Sequence, residues 1–190
     1  KVLPETVITS HSAIPGLFSQ PSWDGTPDDR KMNNSVDYYG VSIYPKHAGA
    51  LRPWSPYFRA AGLDFVRSMA WKNEGFYVGE LQAGYGVFGL KVSLPVTADD
   101  LRDWMWSLVG SGARAINIYA YYPMSSGYEA GGYGLVDLDG RITPRAEAAG
   151  KIARLISRNM NLFLKAQPAR AQVALVYNRL AQMVGGEQTF

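Results

Sequence analysis

The run Phe76-Tyr77-Val78-Gly79, followed at once by Glu80-Leu81-Gln82, sets an apolar, β-prone segment directly before a carboxylate and an amide. Read as a strand, it places Glu80 at the strand's mouth. Downstream, Thr97 precedes Leu101, Trp104, Met105, Leu108 and Val109, a helical i, i+3, i+4, i+7, i+8 pattern, with Asp100 where a capping-box carboxylate belongs. Gly110 and Gly112 end that helix and hand the chain to a β-prone run over 115–120. Upstream, Pro56 opens a helix with Phe58, Ala61, Phe65 and Met69 on its apolar face, running to about Trp71. A strand over 38–43 comes before it, and a further short β run covers 6–9. A third helix follows Pro144, with Ala149, Ile152, Ala153, Ile156 and Met160 on one face, and 173–177 reads as another buried strand. Strand and helix alternating every 30 to 40 residues or so is the sequence form of βα units in a parallel sheet, either a barrel or a doubly wound sheet. A full eight-fold barrel needs about 250 residues, so four units make half of one.

The 190 residues are 47% hydrophobic and 18% charged, enough apolar material for one packed domain. No apolar run reaches the roughly 18 residues that cross a bilayer, so no membrane partner is expected. Lys1 at the start reads as a mature segment or a piece of something longer. The absence of cysteine excludes disulfides and thiolate metal sites and leaves the compartment open. The net charge of +3 is spread along the chain without a basic block, which argues against nucleic acid. Aromatic residues reach 13%, with 12 Tyr and 5 Trp, an excess that suits flat, partly apolar ligands such as sugars.

Residues just past the carboxyl ends of parallel strands converge on one face, where such folds build active sites. Those positions hold Tyr44-Pro45, Glu80-Leu81-Gln82 and Tyr121-Tyr122-Pro123. Glu80 is the leading catalytic candidate; its plain alternative is a solvated loop glutamate. Glycoside hydrolysis needs a second carboxyl group. Glu129, Asp37 and Glu5 are the candidates, and each has a structural alternative: a hydroxyl-binding group, a turn cap and plain surface. Gly84, Gly86 and Gly89 satisfy G-x-G-x-x-G, but Pro95 precedes the next helix, so no helix N-terminus is at hand for a pyrophosphate and no cofactor is expected. His11 and His47 lack metal-site spacing, and no metal is expected; Ser125 and Ser126 lack the nucleophile-elbow glycines. The segment 10–36, rich in Pro, Gly and Asp, reads as a long loop holding at most a short helix. A non-catalytic carbohydrate-binding role, with Tyr39, Tyr44, Tyr85, Tyr121, Tyr122 and Tyr128 stacking on sugar rings, is the competing functional reading.

The stretch Asp37-Tyr38-Tyr39-Gly40-Val41-Ser42-Ile43-Tyr44-Pro45, then Gly79-Glu80-Leu81-Gln82, then the strand reaching Tyr121, resembles strands six, seven and eight of the catalytic barrel of family 42 glycoside hydrolases, the β-galactosidases. Val7-Ile8-Thr9-Ser10 then matches strand five. The resemblance implies half of a (β/α)8 barrel over residues 1–165, the truncated start of a following α/β domain over 166–190, retaining hydrolysis of terminal β-galactosides, and no cofactor. It implies that Glu80 is the nucleophile, Tyr44 an aromatic beside the sugar, Phe88 a wall of the site and Glu129 a carboxylate binding sugar hydroxyls. The family's acid/base is a Glu after Asn at the end of strand four, and Asn73-Glu74 in the turn before strand seven does not replace it. Four strands alone leave two bare edges and an exposed sheet face. A homo-oligomer is therefore expected, two half-barrels closing one barrel and pairing Glu80 of one copy with Glu80, Glu129 or Glu5 of the other.

Overall fold

The computed structural model describes residues 7–12, 28–47, 53–72, 75–88 and 91–184. In chain order its elements are β1 (Thr9–Ser12), α1 (Asp29–Ser35), β2 (Tyr38–Ile43), α2 (Pro56–Met69), β3 (Phe76–Gln82), β4 (Val87–Phe88) and β5 (Lys91–Val92). Then come α3 (Ala98–Gly110), β6 (Ala113–Tyr119), α4 (Pro144–Arg158), α5 (Met160–Lys165) and α6 (Arg179–Val184). Four strands form a sheet in the order β1-β2-β3-β6, and every neighbouring pair is parallel. The expected mixed α/β architecture with a parallel sheet is present.

Alternation along the strands divides the sheet's two faces. Tyr39, Val41 and Ile43 of β2, Val78 and Leu81 of β3, and Ile116 and Ile118 of β6 join one apolar cluster with Leu63 and Val66 of α2, Leu101, Trp104 and Leu108 of α3, and Ile152 of α4. The opposite face carries Tyr38, Tyr77, Ala115 and Asn117. The Tyr77 ring lies over Gly40, where an added Cβ would come within 2.5 Å of it. Tyr38 is 55% exposed, and at the amino ends of the strands a cavity of about 700 Å³ opens between Thr9, Tyr38, Lys72, Tyr77, Arg114 and Leu164. Among the described residues, this face has no layer over it.

The helix starts follow their capping chemistry. Thr97 and Asp100 form a reciprocal capping box on α3, Ser55 and Thr143 cap α2 and α4, and both of those helices begin with Pro. Asp100 also accepts from Lys46 Nζ at 2.7 Å, which ties the loop after β2 to the start of α3.

Several boundaries move. β1 covers Thr9–Ser12 and its ladder starts at the Thr9 and Tyr38 pair, so Val7 and Ile8 of the expected run lie before it, the Ile8 amide and carbonyl bonding Asp37 and Tyr38, and residue 6 lies outside the described residues. β3 runs on to Gln82, so Glu80 lies inside the strand and not past it. β6 starts two residues earlier than expected and ends at Tyr119. Asn159 separates α4 from α5, so exposed Met160 leaves the helix face assigned to it, and Ala153 is exposed as well. The strand expected over 173–177 is absent: this stretch pairs with no strand, Val173, Leu175 and Val176 stand in solvent, and Tyr177 packs its ring on Phe65. Within the long loop, α1 is the short helix, and 13–27 lie outside the described residues.

Two outcomes follow from this packing. Leu108→Ala removes a side chain that is 1% exposed beneath the sheet and should lower the unfolding free energy by about 2–5 kcal/mol in a denaturant titration, with the slope unchanged. Burial pushes the Asp100 carboxyl up, but hydrogen bonds from Lys46 and Thr97 outweigh this and hold it below its ordinary 3.8. A depressed carboxylate stabilises the fold above its unfolded pKa and loses that contribution as pH falls through the folded value. The stability gap between the wild type and Lys46→Met should therefore be full near neutrality and shrink below about pH 4, as read from pH-dependent melting.

Candidate active site

The candidate site depends on an irregularity in β3. Its core residues are Phe76, Val78 and Leu81, a step of two followed by a step of three. The ladder shows the cause: Val41 pairs with Val78 but Ser42 pairs with Glu80, and on the other side Val78 pairs with Ile116 but Leu81 with Ile118. Gly79 is the extra residue, and glycine meets little resistance in a strand that bends locally. Asn117 Nδ2 donates to the Gly79 carbonyl at 2.8 Å, satisfying an acceptor at the break in the ladder. Strict alternation would bury Glu80 with Phe76 and Val78. The bulge turns it to the open face instead and sends Leu81 into the core.

On that face Glu80 Oε2 accepts from the Tyr44 hydroxyl at 2.6 Å and from the Ser42 hydroxyl at 3.3 Å. The first contact is short, as hydrogen bonds to ionised acceptors are. Both donors share one oxygen, and among the described residues Oε1 receives none. Burial, then the hydrogen bond to Glu80 and its charge, drive the Tyr44 hydroxyl far above its ordinary pKa, so it remains a donor at all working pH values.

A second carboxylate reaches the same tyrosines. Glu129, in the loop after β6, accepts from Tyr119 at 2.8 Å. Burial and then this bond push the Tyr119 hydroxyl up to about 12. The charges of both Glu80 and Glu129 reach Tyr119 and Tyr133, so the two carboxylates share one aromatic surround. Tyr44, Tyr119, Tyr133 and His47 meet there edge to face or stacked, with ring centroids 5.4–6.3 Å apart. The His47 ring bonds the Tyr133 hydroxyl at 3.0 Å.

The remaining expected residues fall elsewhere. Gln82 is fully buried: its Nε2 donates to the carbonyls of Lys46 and Gly84 and its Oε1 accepts from the Lys46 amide, so it clamps the loop that carries Tyr44. Tyr121 and Tyr128 are exposed past β6, as is Tyr122, whose hydroxyl donates to the Leu138 carbonyl. Phe88 contributes its backbone to the β4 ribbon, and its side chain lies outside the described residues, as do Glu5 and the Asn73-Glu74 pair. Asp37 sits at the opposite end of the sheet, accepting from the Ile8 amide, and is removed from the carboxylate candidates. Tyr39 is buried on the helix side with its hydroxyl on Asp29, so it is no stacking platform. At Gly84 an added Cβ would lie 2.6 Å from the Gly134 carbonyl, and the β4–β5 ribbon, not a helix, follows it; this glycine serves loop packing. Sequence reasoning missed Ser42, Asn117, Tyr119 and Tyr133; the uneven spacing of Phe76, Val78 and Leu81 was the available signal for the first two. Among the described residues no group of His, Asp and Glu is placed to hold a metal, and no helix is long and apolar enough to cross a membrane.

No family model matches the chain, and no curated protein matches it in sequence. Solved structures do match in fold. A catalytic mutant of a family 42 β-galactosidase from G. stearothermophilus aligns with 98% of this chain at TM-score 0.71 and 15% identity, using 27% of its own length. A β-galactosidase from Rahnella sp. aligns with 96% of the chain and 25% of its own length at TM-score 0.68 and 16% identity. One from Bacillus circulans sp. alkalophilus aligns with 86% and 22% at TM-score 0.67 and 16% identity. The chain thus spans about a quarter of the length of these enzymes. In fold, the four parallel strands and their helices are similar to part of a family 42 β-galactosidase.

Proposed function

We propose that the chain acts as a retaining glycoside hydrolase on terminal β-galactosides or related β-glycosides, with Glu80 as the nucleophile. The observation that carries this reading is the placement of both hydroxyl donors on Glu80 Oε2, which fixes the carboxylate and leaves Oε1 for the anomeric carbon. In the first step Oε1 forms a bond to that carbon while the bond to the leaving oxygen breaks and a general acid protonates it. In the second, water displaces Glu80 with loss of a proton to the same group, and the sugar leaves with its configuration retained. Glu129, held by Tyr119, binds sugar hydroxyls, and Tyr121 and Phe88 are further substrate-binding residues in this reading. Gln82 acts from behind by fixing the Tyr44 loop.

In this reading β1, β2, β3 and β6 are strands five to eight of a (β/α)8 barrel, and the residues from 166 begin a following α/β module. The uncovered face with Tyr38, Tyr77 and Asn117 supports a barrel completed by further strands. A two-fold axis along the barrel keeps all strands parallel and sets β6 of one copy beside β1 of another, so a homo-oligomer can supply those strands and a carboxyl group as the acid. Light scattering of the purified chain should give at least a dimer mass, and a monomer with a well-protected sheet would remove this part of the proposal.

The deciding experiment is hydrolysis of nitrophenyl β-glycosides by the chain and by Glu80→Gln. Turnover should fall on the order of 10³-fold or more in the variant. Absence of turnover in both, with galactose still bound, would replace the enzyme by a carbohydrate-binding protein. Tyr44→Phe should lower kcat roughly 10- to 100-fold with a smaller change in KM, because the donor acts on the nucleophile and not on the sugar.

A further inference from the structure

Tyr133 links the loops of the mouth to one another. It has φ +63°, a left-handed conformation that a non-glycine residue adopts at a cost of about 1–2 kcal/mol. Its amide donates to the Tyr85 carbonyl at 2.8 Å, and its carbonyl accepts from Ala120 at 2.8 Å. Its ring is 1% exposed, and its hydroxyl lies 3.1 Å from the Val87 carbonyl and 3.0 Å from His47 Nε2. On one side Gly134 has no room for a side chain, since a Cβ would fall 2.2 Å from Pro123. A strained residue persists only where its surroundings over-determine it. Here the surroundings are the loops after β2, β3 and β6.

A tyrosine hydroxyl holds one proton. With that proton on the Val87 carbonyl, the bond to His47 requires Nε2–H as donor. We infer that His47 is a positioning residue: through the Tyr133 hydroxyl it pins the loop carrying Glu129 to the mouth formed by β2 and β3. The Glu129 carbonyl in turn accepts from the Gly132 amide at 2.9 Å, one residue before Tyr133, so the pin acts close to the carboxylate.

Among the described residues, the ionisable groups against His47 include Tyr44 on the loop after β2 and Glu129 and Tyr133 on the loop beyond β6. Burial lowers the His47 pKa below 6.5, against the upward pull of Glu129. A base with a depressed pKa contributes its full stabilisation above the unfolded value and loses it as pH falls through the folded one. The pin should therefore be firm near neutrality and loosen in mild acid.

Amide exchange tests this on the whole chain, comparing wild type, His47→Leu and His47→Gln at about pH 7.5 and about pH 5 with intrinsic rates removed. His47→Leu should raise exchange at Ala120, Tyr133 and Leu135 roughly ten-fold at the higher pH, leave β3 and α3 unchanged, and abolish the loosening that wild type shows in acid. His47→Gln, whose amide replaces the Nε2 donor, should restore protection at the higher pH. Equal exchange in wild type and His47→Leu, or equal loss in the Leu and Gln variants, overturns the inference. The effect on sugar rests on the proposed glycosidase activity: KM for nitrophenyl β-galactoside should rise about ten-fold in His47→Leu with kcat within about two-fold. A wild-type chain without turnover sinks that activity and leaves the exchange result to decide the role of His47.

Discussion

Parity along β3 governs everything at the mouth. A strand presents alternate residues to alternate faces, so a carboxylate two residues after a core valine belongs, by default, among the helices. There it would be a buried charge needing several kcal/mol of compensation. The extra residue at Gly79 shifts the count by one, so that Leu81 fills the core and Glu80 meets Ser42 and Tyr44 across the ladder. Asn117 compensates the interruption from the next strand. The bulge, the glycine that permits it, the amide that satisfies it and the two hydroxyls that receive the carboxylate are one device distributed over three strands.

Among the described residues, hydroxyl groups, and no arginine or lysine, are the hydrogen-bond partners of both carboxylates. Glu80 is held by Tyr44 and Ser42, Glu129 by Tyr119. A cation bound directly to a carboxylate would offset its charge, whereas a phenol fixes the geometry without adding an opposite charge, as a proposed nucleophile would need. Burial raises the Tyr44, Tyr119 and Tyr133 hydroxyls, so all three stay protonated. The tyrosines at the mouth thus supply hydroxyl donors as well as apolar bulk, since each ring packs against its neighbours and each hydroxyl has an acceptor.

The βα order was legible because it depends on local chemistry. The spacing of Leu101, Trp104, Met105 and Leu108, the Thr97 cap and the paired glycines after Val109 each state their helix within a dozen residues. The mouth was legible as a set of strand ends, which is how Glu80 and Tyr44 came together on paper. What the sequence hides is pairing: nothing in residues 113–119 says that Asn117 will stand opposite a bulge, and nothing near Tyr133 says that its hydroxyl will reach His47, 86 positions earlier. Gln82 shows the same limit, since only the folded chain reveals that its side chain holds the Lys46 backbone. The stretch 173–177 misled in the other direction, because β propensity alone does not supply a neighbouring strand.

Enclosure and positioning separate in this structure. The open face, from the cavity beside Lys72 and Arg114 up to Asn117, is a surface that a closed barrel would fill. Yet the bonds that orient the two carboxylates lie within the chain: Ser42 and Tyr44 to Glu80, Tyr119 to Glu129, and the Gln82 clamp on Lys46. The stacked outer layer of α2, α3 and α4 braces the same strands from behind. Four strands therefore hold both carboxylates in place by bonds of their own, while in the proposed glycosidase exclusion of water and supply of a proton depend on whatever covers the other side. A fold that divides its labour in this way can conserve the geometry of attack even where closure varies, since the first depends on short contacts inside the sheet and the second only on its edges.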